Sequence, residues 1–187
     1  CGNSTTNIFT VTVNDVENPT ITCPAGIVQN ADAGECFATV ALGVPTGGDN
    51  CGIAAVTNNA VSQTQFPVGT NLVTWTVTDI HSNTATCLQT VIVVDDQLPQ
   101  FTCPSALTNN ADLGQCSATF ALPALVATDN CGVASVTSNA PPSFPVGLTP
   151  VTWTVVDIHG NTNACIQIVA ILDPQLPQVT AGSIAAC

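Results

Sequence analysis

The feature that most constrains this chain is that it repeats itself. Cys23, Cys36 and Cys51 recur as Cys103, Cys116 and Cys131, each 80 positions on. Phe66, Trp75, Asp79, His81 and Cys87 recur as Phe144, Trp153, Asp157, His159 and Cys165, each 78 positions on, so a two-residue deletion lies between the two groups. The matching text is long: NADAGECFATVAL against NADLGQCSATFAL, DNCGIAAVT against DNCGVASVT, FPVGTNLVTWTVTDIHSNT against FPVGLTPVTWTVVDIHGNT. A tandem array must be read as such before any local motif, because each copy is one structural unit. Residues 2–19 align with the end of a unit and 173–180 with its start. The expected division is therefore 1–15 as the terminal strand of a preceding repeat, 16–95 and 96–173 as complete repeats, and 174–187 as the first strand of a following repeat. The chain reads as a piece of a longer array, or as a subunit whose ends belong to neighbours.

Each unit reads as β. VTWTVTD alternates Val73, Trp75 and Val77 with threonines, the period of a half-buried strand. CFATVAL alternates likewise, and Gly, Pro, Asn and Asp interrupt each segment within about 8 to 12 residues, the spacing of a small sandwich. Strands are expected near 20–23, 36–42, 53–57, 72–78 and 85–94, with shorter ones near 26–30 and 62–66. No stretch has helical periodicity. The expected fold is all-β: tandem immunoglobulin-like β-sandwiches with Trp75 and Trp153 as core anchors.

Composition removes several function classes. The chain has no Lys or Arg and a formal charge of −12. Nucleic-acid binding needs cations that neutralise phosphates, and binding to anionic membrane surfaces needs them too. No apolar run approaches the roughly 20 residues of a membrane helix, so membrane insertion is not expected. Ten cysteines without zinc-type C-x-x-C spacing predict disulfides and an oxidising compartment, and units of about 80 residues gain from such staples.

The spaced motifs resemble the hyalin repeat (HYR) family: N-P-T-I-T-C-P at 18–24, G-x-C at 34–36, D-N-C at 49–51, F-P-V-G-T at 66–70, V-T-W-T-V-T-D at 73–79, and a strand ending in V-V-D-D. The resemblance covers nearly the whole chain and holds twice in order. It departs from the family pattern at His81 and His159, and Asn7 stands where the complete repeats have Cys87 and Cys165. The resemblance implies an immunoglobulin-like extracellular module with adhesion or spacer roles and no catalysis. In an immunoglobulin-like strand order the expected pairs are Cys23–Cys36, Cys51–Cys87, Cys103–Cys116 and Cys131–Cys165. Cys1 and Cys187 fall outside this scheme, as halves of absent repeats or as inter-subunit links.

The acids are few and regularly placed. Asp15, Glu17, Asp95 and Asp96 lie in the links between repeats, Asp49 and Asp129 in the D-N-C loops, Asp79 and Asp157 at the ends of the Trp strands. In a sandwich these share one end, so Asp15, Glu17, Asp49 and Asp79 are expected to converge, as are Asp95, Asp96, Asp129 and Asp157. Carboxylates gathered without a cation repel, and Ca²⁺, which takes six to eight oxygen ligands, is the expected cofactor. The competing reading is that these Asp residues form turns and caps.

Catalysis is not expected. His81 and His159 occupy identical turn positions in both repeats, whereas a catalytic site is normally grafted once, and no nucleophile elbow is present. The N-terminal NIFTVTV is uncharged and β-prone and would seek a sheet edge. The expected partners are copies of the chain, head to tail, with strand addition between subunits. Glycans are a further expectation: Asn3, in N-S-T, meets the N-glycosylation sequon. The functional reading is an extracellular or cell-surface structural repeat protein of a filament, fibre or adhesin stalk. The alternative is a carbohydrate- or protein-binding adhesion module of a larger surface protein.

Overall fold

The computed structural model describes residues 1–60, 64–176, 178–180 and 183–185, the last two segments as backbone only. The chain forms two compact units, Cys1–Gln29 with Phe37–Val94, and Asn30–Cys36 with Asp95–Cys187. The loop 30–36 thus clusters with the residues of the second repeat.

The strands of the first repeat are β1 (Thr20–Thr22), β2 (Ile27–Asn30), β3 (Phe37–Thr39), β4 (Thr46–Gly48), β5 (Ile53–Asn58), β6 (Gln65–Pro67), β7 (Gly69–Asp79) and β8 (Thr84–Val94). They form a four-stranded sheet in the order β2-β8-β7-β5 and two small sheets, β1-β4 and β3-β6. The second repeat follows the same plan with β9 (Gln100–Phe101), β10 (Leu107–Asn110), β11 (Ser117–Ala118), β12 (Ala127–Thr128), β13 (Val133–Ser138), β14 (Phe144–Pro145), β15 (Gly147–Asp157) and β16 (Thr162–Leu172). Its four-stranded sheet runs β10-β16-β15-β13, with β10 and β16 parallel. A short hairpin follows, β17 (Gln178–Thr180) with β18 (Ser183–Ala185). The architecture is the expected one, tandem all-β sandwiches. The strand β4 was not expected: Thr46-Gly47-Gly48 has no apolar alternation, and its close pairing with β1 is possible because Gly47, opposite Ile21, has no Cβ to collide with the Thr20 carbonyl. Of the strand expected near 62–66, Ser62 and Gln63 lie outside the described residues, and β6 begins at Gln65.

The period-2 pattern is obeyed strictly in β7, where Val73, Trp75, Val77 and Asp79 are all buried while their neighbours are not. In β8 the buried series is Gln89, Val91 and Val93. In the second repeat Ala118, Phe144, Val151, Trp153, Val169 and Ile171 form one core cluster. Each buried valine, isoleucine or phenylalanine among them contributes about 1.5–3 kcal/mol through burial. Phe120 stacks on Phe144 with ring centroids 4.9 Å apart.

One expectation fails here. The disulfides between described residues include Cys23–Cys87, Cys36–Cys131 and Cys103–Cys165, not the pairs expected from strand order. Cys36 precedes β3, which pairs with β6, whereas Cys23 follows β1, which pairs with β4, so the two are in different sheets. Cys87 sits opposite Trp75, four residues before the Asp79 end of β7. At roughly 3.3 Å per residue that is about 13 Å from the D-N-C turn, beyond the ~7 Å Cα separation a disulfide tolerates. Cys51, expected to be bonded, is a free and exposed thiol, as is Cys1. Cys116 is disulfide-bonded, and Cys187 lies outside the described residues.

The N-terminal segment forms no strand within this chain. Residues 1–19 contain no strand, and Ile8, Phe9, Val11 and Val13 are exposed. A strand exists only by pairing, and the partners that hold the equivalent β8 are β2 and β7 of its own repeat. No helix long and apolar enough to cross a membrane occurs among the described residues.

Candidate cation site

Three chain segments meet at the Asp79 end of the first sandwich, and the second repeats the arrangement. The first segment is the end of the Trp strand. Asp79 is the last inward-facing residue of β7 and is almost completely buried. Its Oδ1 accepts the backbone N–H of His81 at 2.8 Å and of Asn83 at 2.9 Å, and its Oδ2 accepts Asn83 Nδ2 at 2.7 Å. Asp157 is held in the same way by His159 and Asn161. Burial alone would raise these two carboxyl groups, but the donors from Asn83 or Asn161 and the following turn outweigh it and hold both below the ordinary aspartate range. Both are therefore anionic at neutral pH.

The second segment is the D-N-C turn. Asp49 Oδ1 accepts the N–H groups of Cys51 at 2.8 Å and Gly52 at 3.2 Å. Asp129 does the same with Cys131 and Gly132 at 2.9 and 3.1 Å. The turn requires glycine at its end, since Gly52 and Gly132 have φ of 111° and 122°. Its other carboxylate oxygen does nothing of the kind: Oδ2 of Asp49 and Oδ2 of Asp129 are buried and accept no hydrogen bond.

The third segment is the link that precedes each repeat. Asp15 Oδ1 caps the N–H of Glu17 at 3.0 Å, and its Oδ2 lies 3.4 Å from His81 Nδ1. Asp95 Oδ2 lies 3.1 Å from His159 Nδ1. The side chains of Asp15 and Asp95 are 5% and 0% exposed.

Carboxylate oxygens of Asp15, Asp49 and Asp79 thus lie within 4.8 Å of one another, and so do those of Asp95, Asp129 and Asp157. The histidine of each turn and the cysteine of each D-N-C sequence also reach the link aspartate: Asp15 with Cys51 and His81, Asp95 with Cys131 and His159. Of the eight acids expected to converge, six are in these triads. Glu17 instead accepts Asn50 Nδ2 at 2.8 Å, and Asp96 accepts Asn30 Nδ2. Three carboxylates this close repel by a few kcal/mol per pair at the effective dielectric of a protein surface, and the absence of Lys and Arg leaves only histidine to offset it. An oxygen-rich set with unused buried lone pairs fits a hard divalent cation such as Ca²⁺. The turn reading holds as well, since one oxygen of each loop aspartate forms the turn and the other is left over.

The histidines were not expected in this cluster. The signal was available: an aspartate, two residues and a histidine in one tight turn place the imidazole beside whatever the turn faces. The Cys51 thiol is pushed up, first by its hydrogen bond to the Asp15 carboxylate, then by burial and by the charges of Asp15, Asp49 and Asp79. Asn3, the sequon residue, is exposed.

Fold and site together define a class: a disulfide-stapled β-sandwich repeated in tandem, with a carboxylate triad built the same way in each copy. The chain belongs to the HYR domain family, which it matches over residues 14–93 and again over 94–171. It is similar to hyalin of Lytechinus variegatus, 36% identical over 171 residues, and to hyalin of Strongylocentrotus purpuratus, 37% identical over 169 residues. Each alignment covers 86% of this chain, but only 32% and 14% of the respective hyalins. Among solved structures it resembles Drosophila N-cadherin EC1-4 (TM-score 0.41, 11% identity, covering 83% of this chain and 50% of that one). Human mucin-like protocadherin EC1-2 gives a TM-score of 0.41 at 12% identity, covering 83% of this chain and 98% of that one.

Proposed function

We propose that this chain is a non-catalytic repeat module of an extracellular structural or adhesive array, and that each carboxylate triad takes one Ca²⁺ ion. The observation that carries the reading is the buried, unpartnered Oδ2 of Asp49 and of Asp129, each in a triad made of three aspartates. A desolvated carboxylate oxygen without a partner is costly, and the same cost at the same position of two repeats supports a ligand common to both. Asp15, Asp49 and Asp79 would hold one ion, and Asp95, Asp129 and Asp157 the other. The ion would tie the link, the D-N-C turn and the end of the Trp strand together in each unit. Calorimetric titration with Ca²⁺ tests this.

The array part of the proposal rests on the N-terminal segment. Phe9, Val11 and Val13 align with Gln89, Val91 and Val93, which are at most 2% exposed, yet they are 83%, 70% and 86% exposed themselves. An inward-facing series without a sandwich around it fits the last strand of another repeat, joined head to tail within one polypeptide or added from a neighbouring copy. Electron microscopy of native material reads this directly: serial rods or fibres are expected, and uniform isolated particles of single-chain size, with residues 8–13 unprotected from exchange, would contradict it. Membership of the HYR family, the paired cysteines and the exposed sequon at Asn3 support an extracellular setting in which glycans are carried.

A further inference from the structure

The second unit contains a G-x-C loop seated against a D-N-C turn. Cys36 is bonded to Cys131, and four further hydrogen bonds fasten the loop. Gly34 N–H donates to Gln97 Oε1 at 2.7 Å, and Gln97 Nε2 donates to the Asp32 carbonyl at 3.0 Å. Asn130 Nδ2 donates to the Glu35 carbonyl at 2.9 Å, and Asn30 Nδ2 donates to Asp96. The glutamine clasp recurs in the same unit: Gly114 N–H donates to Gln175 Oε1 at 2.7 Å, and Gln175 Nε2 to the Asp112 carbonyl at 3.0 Å. Seating of a G-x-C loop on the glutamine of the link that follows its repeat is therefore a property of the repeat and not an accident of one loop.

The first unit has the receiving side of this joint and no loop in it, because residues 30–36 belong to the second unit. Its D-N-C turn presents Asn50 and Cys51 where the second presents Asn130 and Cys131, and Glu17 stands where the second has Gln97, each 80 positions earlier. Cys51 is exposed and unbonded. Asn50 and Glu17, with no loop to hold, bond to each other at 2.8 Å. Glu17 keeps the oxygen that accepts the loop glycine N–H in the other unit and lacks only the amide donor. The second unit is an internal comparison in which the equivalent cysteine is ligated.

We propose that Cys51 is the covalent docking point for the G-x-C loop of a further HYR repeat, in a disulfide of the Cys36–Cys131 kind, with Asn50 and Glu17 gripping the loop backbone. Two thiols each lose a proton and together two electrons, which pass to a low-molecular-weight disulfide that is cleaved to two thiols. The array would then be a chain of disulfides, each linking a G-x-C loop to the D-N-C turn of the next repeat.

The test uses the full chain and a peptide of residues 30–36, NADAGEC, carried as a mixed disulfide with an aromatic thiolate. The Cys51 thiolate attacks the peptide sulfur and expels the aromatic thiolate, whose colour reports the rate. Cys1, also free and exposed, is the internal control. The proposal expects Cys51 to be modified about tenfold faster by this peptide than by a scrambled sequence, with no such preference at Cys1. Equal rates for the two peptides at Cys51 overturn it. A second arm replaces residues 1–15, which align with 81–95, by one copy of residues 16–95, so that the added repeat joins Val16 through the native link. Pepsin mapping without reduction is expected to recover the added G-x-C cysteine linked to Cys51, pepsin being needed because trypsin has no site. If Cys51 remains alkylatable in the extended chain while the added repeat's equivalents of Cys23 and Cys87 are bonded, the proposal is wrong.

Discussion

The indole Nε1 of Trp75 donates to Oε1 of Gln89 at 3.0 Å across β7 and β8, inside the core. Gln89 in turn donates through Nε2 to the Ala25 carbonyl at 2.9 Å. Trp153 and Gln167 repeat the arrangement at 3.0 Å, with the Ser105 carbonyl as the far partner. A buried glutamine in an apolar strand face is costly unless both ends are used. Here it satisfies a tryptophan N–H and a backbone carbonyl of the segment between β1 and β2, so the main sheet and that segment are held in register.

The pair gives the first prediction. Gln89→Leu keeps the volume but strands the indole N–H and the Ala25 carbonyl, and should cost about 1–3 kcal/mol per orphaned group. Urea unfolding followed by Trp fluorescence checks this. A cost near zero would mean that water reaches Trp75, which is only 6% exposed.

The disulfide Cys23–Cys87 links residues 64 apart. On the chain-entropy model a closed loop of that size is worth about 4 kcal/mol, between the values for short and hundred-residue loops. The double replacement Cys23→Ala with Cys87→Ala should lower the stability of the first unit by about that amount, read from denaturant midpoints. Replacing Cys51 with Ser should leave stability within about 0.5 kcal/mol, since it bonds nothing covalent.

Acid should destabilise both units for a defined reason. Asp79 and Asp157 have folded-state pKa values below the ordinary 3.8. A depressed carboxyl contributes stability that is fully present above its unfolded pKa and is lost as pH falls through the folded one. Melting temperature should therefore be flat with respect to these groups above about pH 5 and fall below about pH 4. In Asp79→Asn the acid-dependent part of the first unit's stability should shrink, measured by melting at pH 3 and pH 6.

The fold was readable because the alternation in VTWTVTD and LQTVIVV leaves little choice, and because the same motifs occur twice. Trp75 at mid-strand and Asp79 at its end follow directly from period 2. The pairing of cysteines was not readable. It depends on where along β8 Cys87 falls and on which repeat receives the loop 30–36, and both are tertiary facts that spacing does not encode. The six aspartates of the triads were readable from their recurrence, whereas the different fates of Glu17 and Asp96 were not. Those side chains turn to Asn50 and Asn30, residues distant in sequence. NIFTVTV shows the limit of propensity: a strong strand sequence is no strand until a sheet accepts it.

Calcium binding at the triads is a proposal. Titration calorimetry of the whole chain with Ca²⁺, paired with thermal melting in calcium and in chelator, tests it most directly. Two binding events per chain are expected. At calcium about a hundredfold above Kd, binding should raise the melting temperature of each unit by roughly 10–20 °C. Asp49→Asn should remove the first event and Asp129→Asn the second, each leaving the other intact. No heat of binding, with identical melting in calcium and in chelator, would contradict the account.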